Sequence, residues 1–233
     1  MMAAAPMEAD AGFQEKPFFE YHLYTLGFPT TLPDNSTKQL ELFPVARNIS
    51  CQKSLVYSGG DIEGGFYGQP LIEAGYGITG NTKVETYLSF KNTRDNRMGI
   101  PMPAGRVRVS KLDNADNSLE FIGEDIIKHT AKDESIRIKL GSAFDVVGER
   151  KQLNFRVNNA AKWMEEDIEI KVRNRKEQPV TVQVRENLYR WTNWNIIRKS
   201  QDFEKQDART IQFPVKIAKG SEAIVRYTVR YTW

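Results

Sequence analysis

Cysteine is almost missing from this chain, and so is histidine. Cys51 is the one thiol among 233 residues, and His22 and His129 are the two imidazoles. A lone cysteine closes no internal disulfide, so the fold rests on its core. Within Ile49-Ser50-Cys51-Gln52-Lys53 it reads as a small, half-buried hydrophobe rather than a reactive thiol. With so few soft ligands, and neither a His-Glu-x-x-His pair nor a Cys-x-x-Cys pair, no metal site or cofactor is expected.

Long apolar runs are missing too. None approaches the roughly 20 residues that span a bilayer as a helix. The outward faces of the expected strands carry Arg, Lys, Glu and Gln, which a lipid-facing barrel would reject. Nor is there a surplus of one charge. The chain has 33 basic and 30 acidic residues, and the signs alternate along stretches such as Lys171 to Glu177. A nucleic-acid surface concentrates positive charge, so no nucleic-acid partner is expected.

What is present is β-strand patterning. In Ala223 to Trp233, Val225, Tyr227, Val229 and Tyr231 fall on one face, and Arg226, Thr228 and Arg230 on the other. A period of two marks a sheet with one buried face. Strands are expected at Phe18 to Leu26, Lys38 to Phe43, Asn48 to Tyr57 and Val84 to Phe90. A hairpin is expected from Arg106 to Lys111 and Ser118 to Gly123, turning through Asp113 to Asn117. Further strands are expected at Ile136 to Leu140, Phe144 to Val157, Glu166 to Arg173, Val180 to Leu188, Arg209 to Ile217 and Ala223 to Trp233. The fold class is therefore all-β. Residues 1–16 form a disordered Ala/Pro linker, 17–130 an antiparallel β-rich domain, and 131–233 an immunoglobulin-like sandwich packed on it. The linker-like start suggests a native polypeptide that extends upstream of Met1.

Motifs for chemistry are scarce. The glycine-rich stretch from Ser58 to Asn81 lacks the Gly-Lys-Ser/Thr ending of a phosphate loop and reads as a long mobile loop or a sheet-edge excursion. His129, Asp133 and Ser135 have the residue types of a hydrolytic triad. Residues so close on an extended chain rarely converge, and no Gly-x-Ser-x-Gly elbow is present. No catalytic residue is assigned, although a hydrolase centred on His129 stands as an alternative. Tyr189, Trp191 and Trp194 form an aromatic cluster where a strand is interrupted. Amphipathic rings in a loop stack on sugars or on protein partners, so these three are the candidate binding residues. The other reading is that Trp194 caps the core while Trp191 packs over the end of the sandwich.

Three long segments occur in order: FFEYHLYTLGFPTTLPDNSTKQLELF at 18–43, GIPMPAGRVRV at 99–109 and HTAKDESIRIKLGSAFDVVGERK at 129–151. Together they resemble the C-terminal half of mucoidy-inhibitor-A-like bacterial envelope proteins, a family of unknown function, over roughly residues 17–233. The resemblance implies an exported protein in the periplasm or at the cell surface, with a coiled coil ahead of this half. It carries over no catalytic residue. The matching positions His129, Asp133, Glu134, Phe144, Asp145, Gly148, Glu149 and Arg150 are expected to be structural. Phe144 and Val146 would fill the core, Gly141 and Gly148 would permit turns or bulges, and Asp133 or Asp145 would pair with Arg150. The expected function is a non-catalytic interaction module. Its partners would be other envelope proteins or its own upstream region, with a glycan as the alternative ligand.

Overall fold

The structure, a computed structural model, describes residues 13–43, 45–60, 68–78 and 80–233. Its regular elements are all strands, and no helix occurs among the described residues. Among the described residues, therefore, no helix is long and apolar enough to cross a membrane. The chain divides into two compact units that interleave in sequence. One gathers the described residues through Ser50 with Lys91–Ala104 and Lys128–Ser135. The other holds Cys51–Phe90, Gly105–Ile127 and Ile136–Trp233. A single cut near residue 130 does not separate these units.

In the first unit, β1 (Phe13–Phe18) and β2 (Tyr21–Leu26) form an antiparallel hairpin that turns at Phe19-Glu20. One strand was expected over Phe18 to Leu26; the chain instead reverses in the middle of it. Residues 13–16, expected in the linker, are part of β1, and residues 1–12 lie outside the described residues. Lys38 to Phe43 is not a strand. Asn92 is the polar hub of this unit and is fully buried. Its side-chain amide donates to the carbonyls of Ile100 (2.7 Å) and Ala131 (3.0 Å), and its Oδ1 accepts from Gly99 N–H (2.9 Å). Its own backbone bonds Glu134 O and Asp133 N–H, both at 2.9 Å. One side chain thus ties segments 99–100 and 131–134 together.

In the second unit, β3 (Cys51–Ser58) and β4 (Lys83–Lys91) join a nine-stranded sheet. Its other members are β7 (Ser135–Asn158), β8 (Trp163–Asn174), β9 (Val180–Asn187), β10 (Trp194–Lys199), β11 (Glu204–Lys205), β12 (Thr210–Ile217) and β13 (Glu222–Thr232). The order across the sheet is β10-β13-β8-β7-β4-β3-β9-β12-β11. β3 pairs with β9 in parallel, whereas the β10–β13, β13–β8, β8–β7, β4–β3, β9–β12 and β12–β11 pairs are antiparallel, so the sheet is mixed. The strands expected at Ile136 to Leu140 and Phe144 to Val157 are one continuous strand, β7. The hairpin β5 (Gly105–Leu112) and β6 (Leu119–Ile127) forms a separate two-stranded sheet. Its turn is held where Asp113 Oδ1 and Asp116 Oδ1 accept from the backbone N–H groups of Ala115 and Ser118, each at 2.9 Å.

The long sheet folds back on itself, so β12 touches β13 and β8, and Phe213 stacks on Tyr227 with ring centroids 5.7 Å apart. Alternation decides which side chains meet there. Val182 and Val184 point inward from β9, as do Ile211, Phe213, Val215 and Ile217 from β12. From β8 come Met164, Ile168, Ile170 and Val172, and from β13 come Val225, Tyr227, Val229 and Tyr231. Each fully buried side chain of this size contributes about 1.5–3 kcal/mol. The opposite face of β8 and β13 is a charge ladder. Arg226 opposes Glu169, Arg230 opposes Glu165, and Thr228 donates to Asp167 at 2.5 Å.

Candidate functional site

The most elaborate polar arrangement is inside the second unit, beneath the glycine-rich stretch. Glu166 sits on the inward face of β8 and Glu186 on that of β9, among apolar neighbours. Alternation forces both carboxylates into the core, where an unpaired charge would be costly. Each has an arginine. Arg150 of β7 lies 2.9 Å from Glu186, and Arg190, just beyond β9, lies 2.7 Å from Glu166. All four side chains are almost completely buried, at 0–2 % exposure. Tyr227 donates to Glu186 at 2.5 Å and Tyr189 to Glu166 at 3.0 Å. Burial, reinforced by these carboxylates, pushes both phenols above their usual range. Burial pulls the Arg150 guanidinium down, but Glu186 and then Tyr227 outweigh it and hold the group charged.

The arginines also reach the loop above. Arg190 Nη1 donates to the carbonyls of Leu71 (2.7 Å) and Glu73 (2.8 Å), and Nη2 to Tyr76 O (3.0 Å) and Gln152 Oε1 (3.2 Å). Leu71 N–H returns a bond to Arg190 O at 3.0 Å. Arg150 Nη1 donates to Gly77 O at 3.2 Å. Residues 68–78 of this stretch are therefore strapped to the core by two guanidinium groups. Residues 61–67 lie outside the described residues. Gly59 is required here, because a Cβ would sit 2.7 Å from Arg150 Cβ and 2.8 Å from the Tyr57 hydroxyl.

The expected site residues scatter. Tyr189 is buried in this network, whereas Trp191 and Trp194 are half-buried against the core. Trp194 Nε1 donates to Ala208 O at 2.9 Å. The three therefore present no shared exposed platform. Phe144, expected in the core, is 95 % exposed, while Val146 is buried. The two are one strand period apart, but β7 begins to pair with β8 only at Val146, so Phe144 lies beyond that pairing. Arg150 pairs with Glu186 rather than with Asp133 or Asp145. Asp145 is exposed, and its carbonyl takes Arg175 N–H at 2.7 Å. Glu149 faces outward to Arg173 (2.9 Å) and Lys151 (2.7 Å), which hold its carboxyl down at about 2, Lys151 first. Gly148 makes no turn; it lies in mid-strand against the Tyr57 ring. Cys51 is exposed rather than half-buried. Asp133 adopts φ 68° and pairs weakly with Lys132 at 3.9 Å. Glu134 is exposed, and its backbone serves Asn92. Among the described residues His129 shares no hydrogen bond with Asp133 or Ser135, and no three His, Cys, Asp or Glu cluster to hold a metal.

The first unit holds a cleft of about 530 Å³ between the β1–β2 hairpin and segments 101–103 and 129–131. Both histidines line it, with Glu20, Tyr21, Tyr24, Met102 and two prolines. Its walls are fixed. Tyr24 donates to Pro101 O at 2.8 Å and packs edge-on against Phe43, while Met102 and Thr130 exchange two backbone hydrogen bonds at 2.9 Å. Among the site features only the aromatic run at 189–194 and the separate histidines stood out in the sequence. The pairing of Glu166 and Glu186 with Arg190 and Arg150 had one local signal, charged residues at inward positions of otherwise apolar alternations.

Compared with family models, curated proteins and solved structures, the chain finds no match.

Proposed function

We propose that this chain is a non-catalytic interaction module of an exported bacterial envelope protein, with its C-terminal strands arranged as an immunoglobulin-like sandwich. The observation that carries the reading is the tip of the β1–β2 hairpin. Phe18, Phe19 and Tyr21 are 65, 90 and 72 % exposed, and Phe19 holds φ at 57°. That backbone region suits Gly or Asn in a two-residue hairpin turn and costs a bulky residue about 1–2 kcal/mol. A strained aromatic ring held in water is explained by something that covers it. The edge strands make a poorer contact surface. β11 has two residues, and β10 carries Arg198, Lys199 and a bulge between Ile196 and Arg198. These features blunt β-augmentation. The envelope setting rests on the resemblance of the three long segments.

The test is a photo-crosslinking amino acid at position 19 of the intact protein in its native cells. The expected outcome is a discrete adduct with an envelope protein or with the upstream region of the same polypeptide, recovered from the envelope fraction. Recovery of the protein in the cytoplasm, or an adduct pattern no different from that of a probe at exposed Lys216, contradicts the reading.

A further inference from the structure

The cleft of the first unit is built for positive charge. His129 Nδ1 accepts Ala104 N–H at 3.2 Å. His22 Nδ1 lies 2.6 Å from Glu15 Oε1. If His22 carries a second proton, the pair is neutral; if it does not, the pair is negative. In neither case does it add net positive charge. Among the described residues Glu20 is the other charged group in the lining, and no Lys or Arg lines the cleft. The basic residues nearby in sequence are accounted for. Lys16 pairs with Leu23 on the face of the hairpin that carries Phe18 and Tyr21, opposite Glu15 and His22, and is not part of the lining; Lys128 precedes His129 in an exposed position, and Lys132 is turned toward Asp133. The cleft therefore sets the Glu20 carboxylate among two tyrosine side chains and the apolar Pro101, Met102 and Pro103.

An apolar channel with a carboxylate and aromatic faces suits an aliphatic stem ending in an ammonium group. The volume is within the usual range for a ligand site. Tyr21 lines the cleft and belongs to the exposed aromatic tip, so one surface continues from Phe18 and Phe19 into it. We propose that the cleft receives a lysine side chain of a protein partner whose neighbouring residues cover the tip. This rests on the interaction-module reading and names the chemistry of the partner.

The test uses the whole chain and three probes, followed through the His22, His129 and Tyr21 NMR resonances. The probes are acetyl-Ala-Lys-Ala-amide, the same peptide with norleucine in place of lysine, and free cadaverine. The lysine peptide is expected to give saturable shifts, with the norleucine peptide at least tenfold weaker and cadaverine weaker than the lysine peptide. Glu20→Gln, at an exposed turn position that leaves the fold intact, is expected to cut lysine-peptide affinity about tenfold. Equal binding of the lysine and norleucine peptides, tighter binding of cadaverine, an unaffected Glu20→Gln variant, or no saturable shift overturns the proposal. If position 19 still crosslinks an envelope protein after such a result, the interaction module survives and the lysine cleft does not.

Discussion

Gly148 shows how one missing side chain sets a strand position. Its backbone lies flat against Tyr57, and a Cβ there would fall 2.2 Å from the ring. The Tyr57 hydroxyl is pinned by a 2.7 Å bond to Asn81 O, so the ring has nowhere to go. Gly148→Ala is expected to destabilise by about 1–3 kcal/mol through overpacking, seen as a lower denaturation midpoint. A wild-type midpoint would show that the ring yields freely. Tyrosine hydroxyls make the complementary case. Tyr227 supplies a hydrogen bond to Glu186, whereas the buried Tyr231 hydroxyl has no partner among the described residues. Tyr227→Phe is expected to cost about 1–3 kcal/mol, because it strips a buried carboxylate of a donor, and Tyr231→Phe close to nothing. Equal costs in urea unfolding would refute the distinction. Neither role was legible in the sequence, where the glycine looked like a turn former and the two tyrosines look alike.

At the scale of elements, alternation was enough to locate most strands, because each keeps one face in the core. It failed where a different force decides. Phe18 to Leu26 alternates through its own reversal, since a two-residue turn adds no break in period. Phe144 keeps the parity of the buried positions but lies ahead of Val146, where the pairing of β7 with β8 begins. The segment at 68–78 reads as glycine-rich and loose, yet its carbonyls are collected by Arg190, a residue more than a hundred positions away. Long-range polar partners leave no local pattern, which is why the strap was invisible. Arg190→Lys keeps the charge but loses the planar fork that serves three carbonyls at once. Backbone amides of residues 71–77 are expected to exchange at least tenfold faster in that variant, with β12 and β13 amides unchanged. Uniform loss of protection would mean that Arg190 supports the whole core rather than the segment.

For the whole molecule, carboxylates on the outer face of the long sheet shape the response to acid. Lys151 and then Arg173 hold Glu149 down at about 2, against the 4.5 of a free glutamate. Burial pushes Asp167 upward, but hydrogen bonds from Thr228 and Asn154, with Arg156 and Arg198 close by, bring its carboxyl below the ordinary aspartate range. A group whose folded pKa is depressed stabilises the native state above its unfolded pKa and loses that contribution as pH falls through the folded value. Stability is therefore expected to hold down to about pH 5 and decline toward pH 2, with the native structure binding protons later than the unfolded chain. Lys151→Gln removes the largest influence on Glu149 and is expected to raise the midpoint of its carboxyl resonance in an NMR titration. It should also move the acid decline in melting temperature to higher pH. A Glu149 midpoint still at about 2 in that variant would assign the depression to Arg173 alone. The outer face of β7 and β8 would then be held by one cross-strand pair rather than by a shared ladder.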